Sequence, residues 1–160
     1  MLKKKKKKWW NIVSSPQGRR KGQCNKLRTY ALYKRELKAE YYVMQDIPKK
    51  HKRAFALMRC GSPPLAIEQG RYTGTPLDKR TCTLCDTGDV ESEMHMLMSC
   101  PMYINTRIDL FHEACLVYDQ FFGLGDTEKF IFIMSRPELA KVTAKACFSM
   151  LECRRRCLFK

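Results

Sequence analysis

The segment Cys82-Thr-Leu-Cys85, followed by His95 and Cys100, spells C-x2-C-x9-H-x4-C, and no other feature restricts the folding of this chain as tightly. A two-residue gap lets one tight turn present both sulfurs to a single point, while a helix beside it supplies an imidazole and a third sulfur. Zinc accepts thiolate and imidazole in a tetrahedron, so the pattern predicts a zinc site ligated by Cys82, Cys85, His95 and Cys100. Four protein ligands leave no open position for water, which makes the expected ion structural and not catalytic. Three thiolates and one divalent cation carry a net −1, so the ion itself would not attract phosphate.

The same spacing constrains the local backbone. At 100° per residue, His95 and Cys100 would point about 140° apart on an unbroken α-helix. The helix is therefore expected to stop between them, with Pro101 disfavouring helical geometry at Cys100. Asp89 is the expected N-cap, with Glu91 and Glu93 in the first turn, where the helix dipole favours acid. His112 is the one substitute fourth ligand, and it falls off the apolar stripe beside it. Cys115, Cys153 and Cys157 lie on apolar stripes and read as small buried hydrophobes. Cys24, Cys60 and Cys147 have no evident partner, and His51 sits among lysines.

The chain has 160 residues and 31 Lys plus Arg against 16 Asp plus Glu, a net charge of +15. Its length suits one domain with a core that needs no further staples. No apolar run approaches the roughly 18 to 20 residues that cross a bilayer. Lys3 to Lys8 resembles the start of a signal peptide, but the apolar stretch that should follow is missing. An odd count of 9 Cys and no export signal favour a reducing compartment, the nucleus or the cytoplasm. The chain is not expected to be an enzyme. Neither the H-x-E with P-C-x-x-C of the zinc deaminases nor any G-x-x-x-x-G-K, H-E-x-x-H or G-x-S-x-G is present.

Charge is unevenly spread. Residues 1–60 hold 19 Lys plus Arg and 3 Asp plus Glu, and residues 61–160 hold 12 and 13, giving +16 and −1. Such asymmetry points to a polyanion, RNA or DNA, held by the first half through counterion release. Lys3 to Lys8 is low in complexity and Ser14 to Gln23 reads as linker, so a disordered basic tail is expected over residues 1–23. The lysine run is either a solvated tail or a nuclear-import or nucleic-acid element.

Leu27, Tyr30, Tyr33, Leu37 and Tyr41 recur at helical spacing, which predicts an amphipathic helix from Asn25 to Tyr42. Lys26, Arg28, Lys34, Arg35 and Lys38 are interleaved with it, either as a wet face or as a grip on nucleic acid. A second helix is expected from Pro48 to Cys60, with Gly61 as its left-handed stop. Its first turns carry Lys49, Lys50, Lys52 and Arg53, against the dipole. An incoming phosphate would compensate them, and solvent exposure is the plainer reading.

After Ser62, Pro63 and Pro64, residues Gly70 to Gly74 are expected to form a loop leading to the metal motif. Pro101 should open a core helix with the stripe Ile104, Ile108, Phe111, Cys115 and Tyr118, ended by Gly123 and Gly125. Asp126 can cap a short helix through Met134, and Ser135 with Glu138 forms the capping box of a last helix. The stripe of that helix is Leu139, Val142, Ala146, Met150, Cys153 and Cys157, closed by Arg154, Arg155 and Arg156, cations that suit a carboxyl end.

Gly70-Arg71-Tyr72, Arg80-x-Cys82-x-x-Cys85, Val90-Glu91-x-Glu93-x-His95 and Cys100-Pro101-x-Tyr103 with Arg107 together resemble the zinc-knuckle-like C-terminal region of LINE-type (non-LTR) retrotransposon reverse transcriptases. The likeness runs from about Lys26 to about Arg156 and is specific around the zinc motif. It implies Cys82, Cys85, His95 and Cys100 as metal ligands and a segment that helps hold RNA or target DNA. The chain departs from the family in having no Tyr- or Phe-x-Asp-Asp and no room for fingers and palm, so the resemblance implies a fragment or domesticated remnant without polymerase activity.

The expected architecture is a mainly α, small helical domain over residues 24–160 with an inserted CCHC zinc knuckle over residues 80–103. The expected function is non-catalytic binding of zinc and nucleic acid, the latter through Lys49, Lys50, Lys52, Arg53, Arg71 and Arg80, with Lys79 and Arg107 also near the motif. The alternative is a zinc-stabilised protein-interaction or scaffolding domain.

Overall fold

The computed structural model describes residue 27, residues 29–34, residue 36 and residues 38–159. The expected tail over residues 1–23, with Cys24, Lys26, Arg28, Arg35 and Leu37, lies outside the described residues. What is described is mainly helical. The order is α1 (Tyr30–Tyr33), α2 (Lys49–Arg59), α3 (Ala66–Tyr72), a π turn (His95–Ser99), α4 (Ile104–Val117), α5 (Asp126–Ser135) and α6 (Ala140–Leu158), with short 3-10 turns between them. Extended pairing among the described residues is limited to a single antiparallel bridge, Thr81 to Val90.

The core lies where α2 and α4 pack against α6 and where α5 meets both α6 and the π turn. Phe55 and Met58 of α2, Leu110 of α4, Phe130 and Ile133 of α5 and Met150 of α6 are fully buried there, each side chain contributing about 1.5 to 3 kcal/mol of transfer free energy. Helix α2 forms where expected but one residue shorter at each end, with Pro48 and Cys60 as its caps. Pro48 stands just before it and Gly61, at φ 62°, leaves it in the left-handed region.

The long helix expected from Asn25 to Tyr42 does not form. Helix α1 ends at Tyr33, Lys34 turns extended at ψ 107°, and a 3-10 turn at Tyr41–Val43 follows. The cause is Arg59, whose guanidinium is buried within 6 Å of the rings of Tyr30, Tyr33, Tyr41, Tyr42 and Phe55. On one helix Tyr30 and Tyr41 would be about 16 Å apart and could not share one cation. Glu40 completes the cage at 2.7 Å from Arg59 Nη2, and the carbonyl of Met134 accepts from Nη1. A charge this deep persists because ring faces, a carboxylate and a carbonyl replace its water.

Three further elements differ from expectation, the first two through contacts between elements and the third for a local reason. Gly70 to Tyr72 is helical, and Gly70 is where Arg80 crosses α3: a Cβ there would meet Arg80 Cδ at 2.5 Å. Helix α4 is rotated, burying Arg107, Leu110 and Ala114 and leaving Ile104 53% and Ile108 60% exposed. Arg107 sets that rotation by reaching inward to the carbonyls of Met96, Leu97 and Cys100. The capping box of Ser135 and Glu138 is absent. Ser135 Oγ donates to Phe132 O within α5, and α6 begins only at Ala140, past Pro137. Residues Thr143, Ala144, Cys147 and Arg154 join Ala146 and Met150 on the buried face of α6, while Val142, Cys153 and Cys157 are half-buried.

Candidate metal centre

The motif begins on the bridge. Cys82 N donates to Asp89 O at 2.8 Å and Glu91 N to Arg80 O at 2.9 Å, so the two ends of the turn bearing Cys82 and Cys85 are tied together. Gly88, at φ 73°, closes the turn in the left-handed region, where a side chain would be strained. Each of the three cysteine sulfurs accepts the backbone N–H two residues on, from Leu84, Thr87 and Met102. Such bonds stabilise thiolate over thiol.

The second pair of donors comes from an unusual winding. Ser92 Oγ accepts from His95 N at 3.1 Å and is the cap, in place of Asp89. From His95 to Ser99 the chain forms a π turn, and Cys100 N donates to His95 O at 2.8 Å. An i to i+5 bond closes one turn between residues five apart, so it stacks His95 and Cys100 where an α-helix would point them about 140° apart. The helix widens instead of stopping between them. Pro101 then holds Cys100 extended, at ψ 120°.

One ligand atom from each of Cys82, Cys85, His95 and Cys100 lies within 4.8 Å of every other. Donors about 2.3 Å from a tetrahedral ion stand roughly 3.8 Å apart, so small side-chain movements close the cluster on a metal ion. His95 Nε2 faces Cys85 Sγ at 3.3 Å. Its Nδ1 lies 3.2 Å from Ser99 Oγ and 3.5 Å from the Asp89 carboxylate. With the Nδ1 proton shared among those oxygens, the Nε2 lone pair points at the sulfurs, the arrangement that metal-ligating imidazoles adopt.

Electrostatics favours the neutral ring and opposes bare thiolates at Cys82 and Cys100. Burial lowers the His95 pKa, against the opposing pull of Asp89 and Glu91. Burial raises the Cys82 thiol and pushes Cys100 up to about 12. At Cys85 burial acts the same way but is outweighed by hydrogen bonds from the hydroxyl and N–H of Thr87, and the pKa falls. A cation bound here must therefore displace protons, which makes its affinity depend on pH.

Two groups that position the centre were read differently in the sequence. Glu91 is not in a helical first turn. It is buried, and its carboxylate accepts from Arg154 Nε at 2.6 Å, from Arg154 Nη2 at 2.8 Å and from Ala66 N at 2.6 Å. Arg154 is correspondingly buried instead of closing α6 as a surface cation, whereas Arg155 and Arg156 do lie at the surface, both on Glu152. A pairing 63 residues apart leaves no periodic trace, and the one local hint was Glu91 within the Val90-Glu91-x-Glu93 string.

The cations proposed for nucleic acid separate into two groups. Lys49, Lys50 and Arg53 are exposed on the first turns of α2. Lys52 Nζ donates to Val43 O at 2.8 Å and Gln45 O at 3.1 Å. Arg71 holds Glu68 at 3.1 Å. Arg80 spends Nε on Thr75 O and Nη1 on Ile67 O, both at 2.8 Å, and Arg107 is buried. Lys79 and His112 are exposed, and His112 is not part of the cluster.

Fold and site together define a mainly helical chain with a cluster of three cysteines and one histidine that could hold a metal ion. Compared with known proteins, the chain matches no family model, no curated protein and no solved structure. No helix among the described residues is long and apolar enough to cross a membrane.

Proposed function

We propose that this chain is a non-catalytic module that binds zinc and nucleic acid, a fragment or remnant of the C-terminal region of a LINE-type reverse transcriptase. The observation that carries the metal reading is the convergence of Cys82, Cys85, His95 and Cys100 within 4.8 Å. Three sulfurs with one imidazole are the donor set of structural zinc sites, and a closed tetrahedron leaves no position at which water or substrate could react. A reducing compartment, the nucleus or the cytoplasm, keeps such thiols available.

The nucleic-acid reading is supported by the exposed cations Lys49, Lys50 and Arg53 on a helix start that has no acidic residue in its first turn. Contact would run through phosphates, with weak sequence preference and strong dependence on salt. Purified protein should contain one zinc per chain by elemental analysis and lose it with Cys82→Ser. With Lys49, Lys50, Lys52 and Arg53 changed to Ala, the salt slope of oligonucleotide binding should fall by about 0.7 to 0.9 for each phosphate that is no longer neutralised. No zinc in the pure protein would remove the metal reading, and an unchanged slope would remove the phosphate face.

A further inference from the structure

Helices α2 and α6 pack along one another and part on one side into a groove of about 830 Å³. Its floor is made by Leu57, Phe148, Leu151, Leu158 and Phe159. Phe159 is 78% and Leu158 39% exposed. Apolar surface left open in one continuous patch marks a place where another molecule binds. The groove runs along α6 from Phe148 to Leu158, about 15 Å or nearly three helical turns.

The rim supplies the charge. Lys49 and Arg53 stand over the groove with no ion pair among the described residues, and Lys50 Nζ sits 4.9 Å over the Phe148 ring. Glu152 is the acid in the groove, and it is already held by Arg155 at 2.7 Å and Arg156 at 3.3 Å. An occupant must therefore be apolar where it meets the floor and acidic where it meets the α2 side.

We propose that this groove binds an acidic amphipathic helix from a partner protein. Leucine-like side chains at i, i+4 and i+7 would enter between Leu57, Leu151 and Leu158, and carboxylates would meet Lys49, Lys50 and Arg53. The chain itself is a poor occupant. Its first 26 residues carry ten cations and no acid, and a second copy brings a further +15. Successive nucleic-acid bases would need a series of open aromatic faces, whereas this floor offers one, Phe159, its other residues being leucines and Phe148, already faced by Lys50 and by the His51 ring at 4.9 Å. The groove would take such a helix whether or not the chain binds zinc or nucleic acid. Because Lys49, Lys50 and Arg53 serve both surfaces, the helix and an oligonucleotide would compete.

The test uses the full chain and a fluorescent synthetic peptide of about 14 residues, roughly four turns, with Leu on one face and Glu on the other. A scrambled peptide of identical composition and an oligo(dT) strand are run beside it. Fluorescence anisotropy should show the amphipathic peptide binding at least about tenfold tighter than its scramble. Leu158→Ser with Phe159→Ser should remove most of that preference, as removal of a buried anchor does, while leaving oligo(dT) affinity in place. Both residues are exposed, so an unchanged melting curve verifies the fold. Should that curve shift, Lys49→Glu with Arg53→Glu on the exposed rim gives the same reading of peptide affinity. Equal affinity for the scramble overturns the proposal. So does loss of oligo(dT) binding in the serine variant without peptide binding by the parent, which would make the groove a slot for nucleic acid.

Discussion

Between residues 81 and 94 the buried side chains are Cys82, Glu91 and Glu93, whereas the facing surfaces of α2 and α6 bury Phe55, Met58, Ala144, Cys147 and Met150. One region excludes water with a thiol and two carboxylates, the other mostly with apolar groups, although α2 also buries Arg59 and α6 buries Thr143 and Arg154. Apolar packing needs only shape and area to be favourable. Buried carboxylates and thiols are favourable only when every partner is in place. The turn bearing Cys82 and Cys85 thus depends on Arg154 and, on the proposed reading, on a bound ion, while the paired helices and the buried Met96, Leu97 and Met98 of the π turn rest mainly on apolar burial.

On the proposed zinc reading, the largest expected effect comes from removing the metal. Structural zinc draws on the order of 10 to 16 kcal/mol of binding free energy in small modules. A chelator or Cys82→Ser should therefore strip hydrogen-exchange protection from residues 81–94 while α2 and α6 remain protected. Equal loss in both regions would break the contrast and make the chain one cooperative unit. Next comes the tie between the regions. Glu91→Ala leaves Arg154 buried without its carboxylate and should cost about 3 to 5 kcal/mol in denaturant unfolding, well above a similar change at the exposed pair of Glu152 and Arg156.

Smaller effects sharpen the contrast. Asp89→Asn, at a carboxylate 3.5 Å from His95 Nδ1 and itself exposed, should weaken binding of the proposed zinc by about tenfold in a competition titration with a chromophoric chelator, without moving the fold. In the helical body, burial pushes the Cys147 thiol up to about 12. The unfolded chain then loses this proton first, so stability is intact below the ordinary thiol range and falls as pH rises above it, by at most about 1.4 kcal/mol per pH unit. Cys147→Ala should flatten that alkaline slope in pH-dependent melts. Burial lowers His95, so its imidazole acts in the opposite direction: the unfolded state takes up the proton first, and acid weakens the fold around it below the ordinary histidine range.

The four candidate ligands and helix α2 were legible from the sequence because their signals are local. Two cysteines separated by two residues, a proline before α2 and a glycine after it each specify backbone geometry within a turn of themselves. The helix expected over residues 25–42 was not legible as the short α1 and a 3-10 turn. Its tyrosines had helical spacing but were recruited to a cation at Arg59, on a later element. The rotation of α4 misled in the same way. Ile104 and Ile108 look like core by period, yet Arg107 turns inward to donate to the carbonyls of Met96, Leu97 and Cys100, buried backbone acceptors where the π turn ends.

By itself, the sequence determined a mainly helical chain, the start and stop of α2 and a set of three sulfurs and one imidazole in metal-binding order. Tertiary structure decided that His95 and Cys100 meet through a π turn, that Asp89 backs the imidazole instead of capping a helix, and that Arg59, Arg107 and Arg154 lie inside the protein. The division has one physical cause. Turns and helix ends answer to neighbours a few residues away, but a buried charge is tolerated only where distant segments deliver its partners, and no local pattern records which segments those will be.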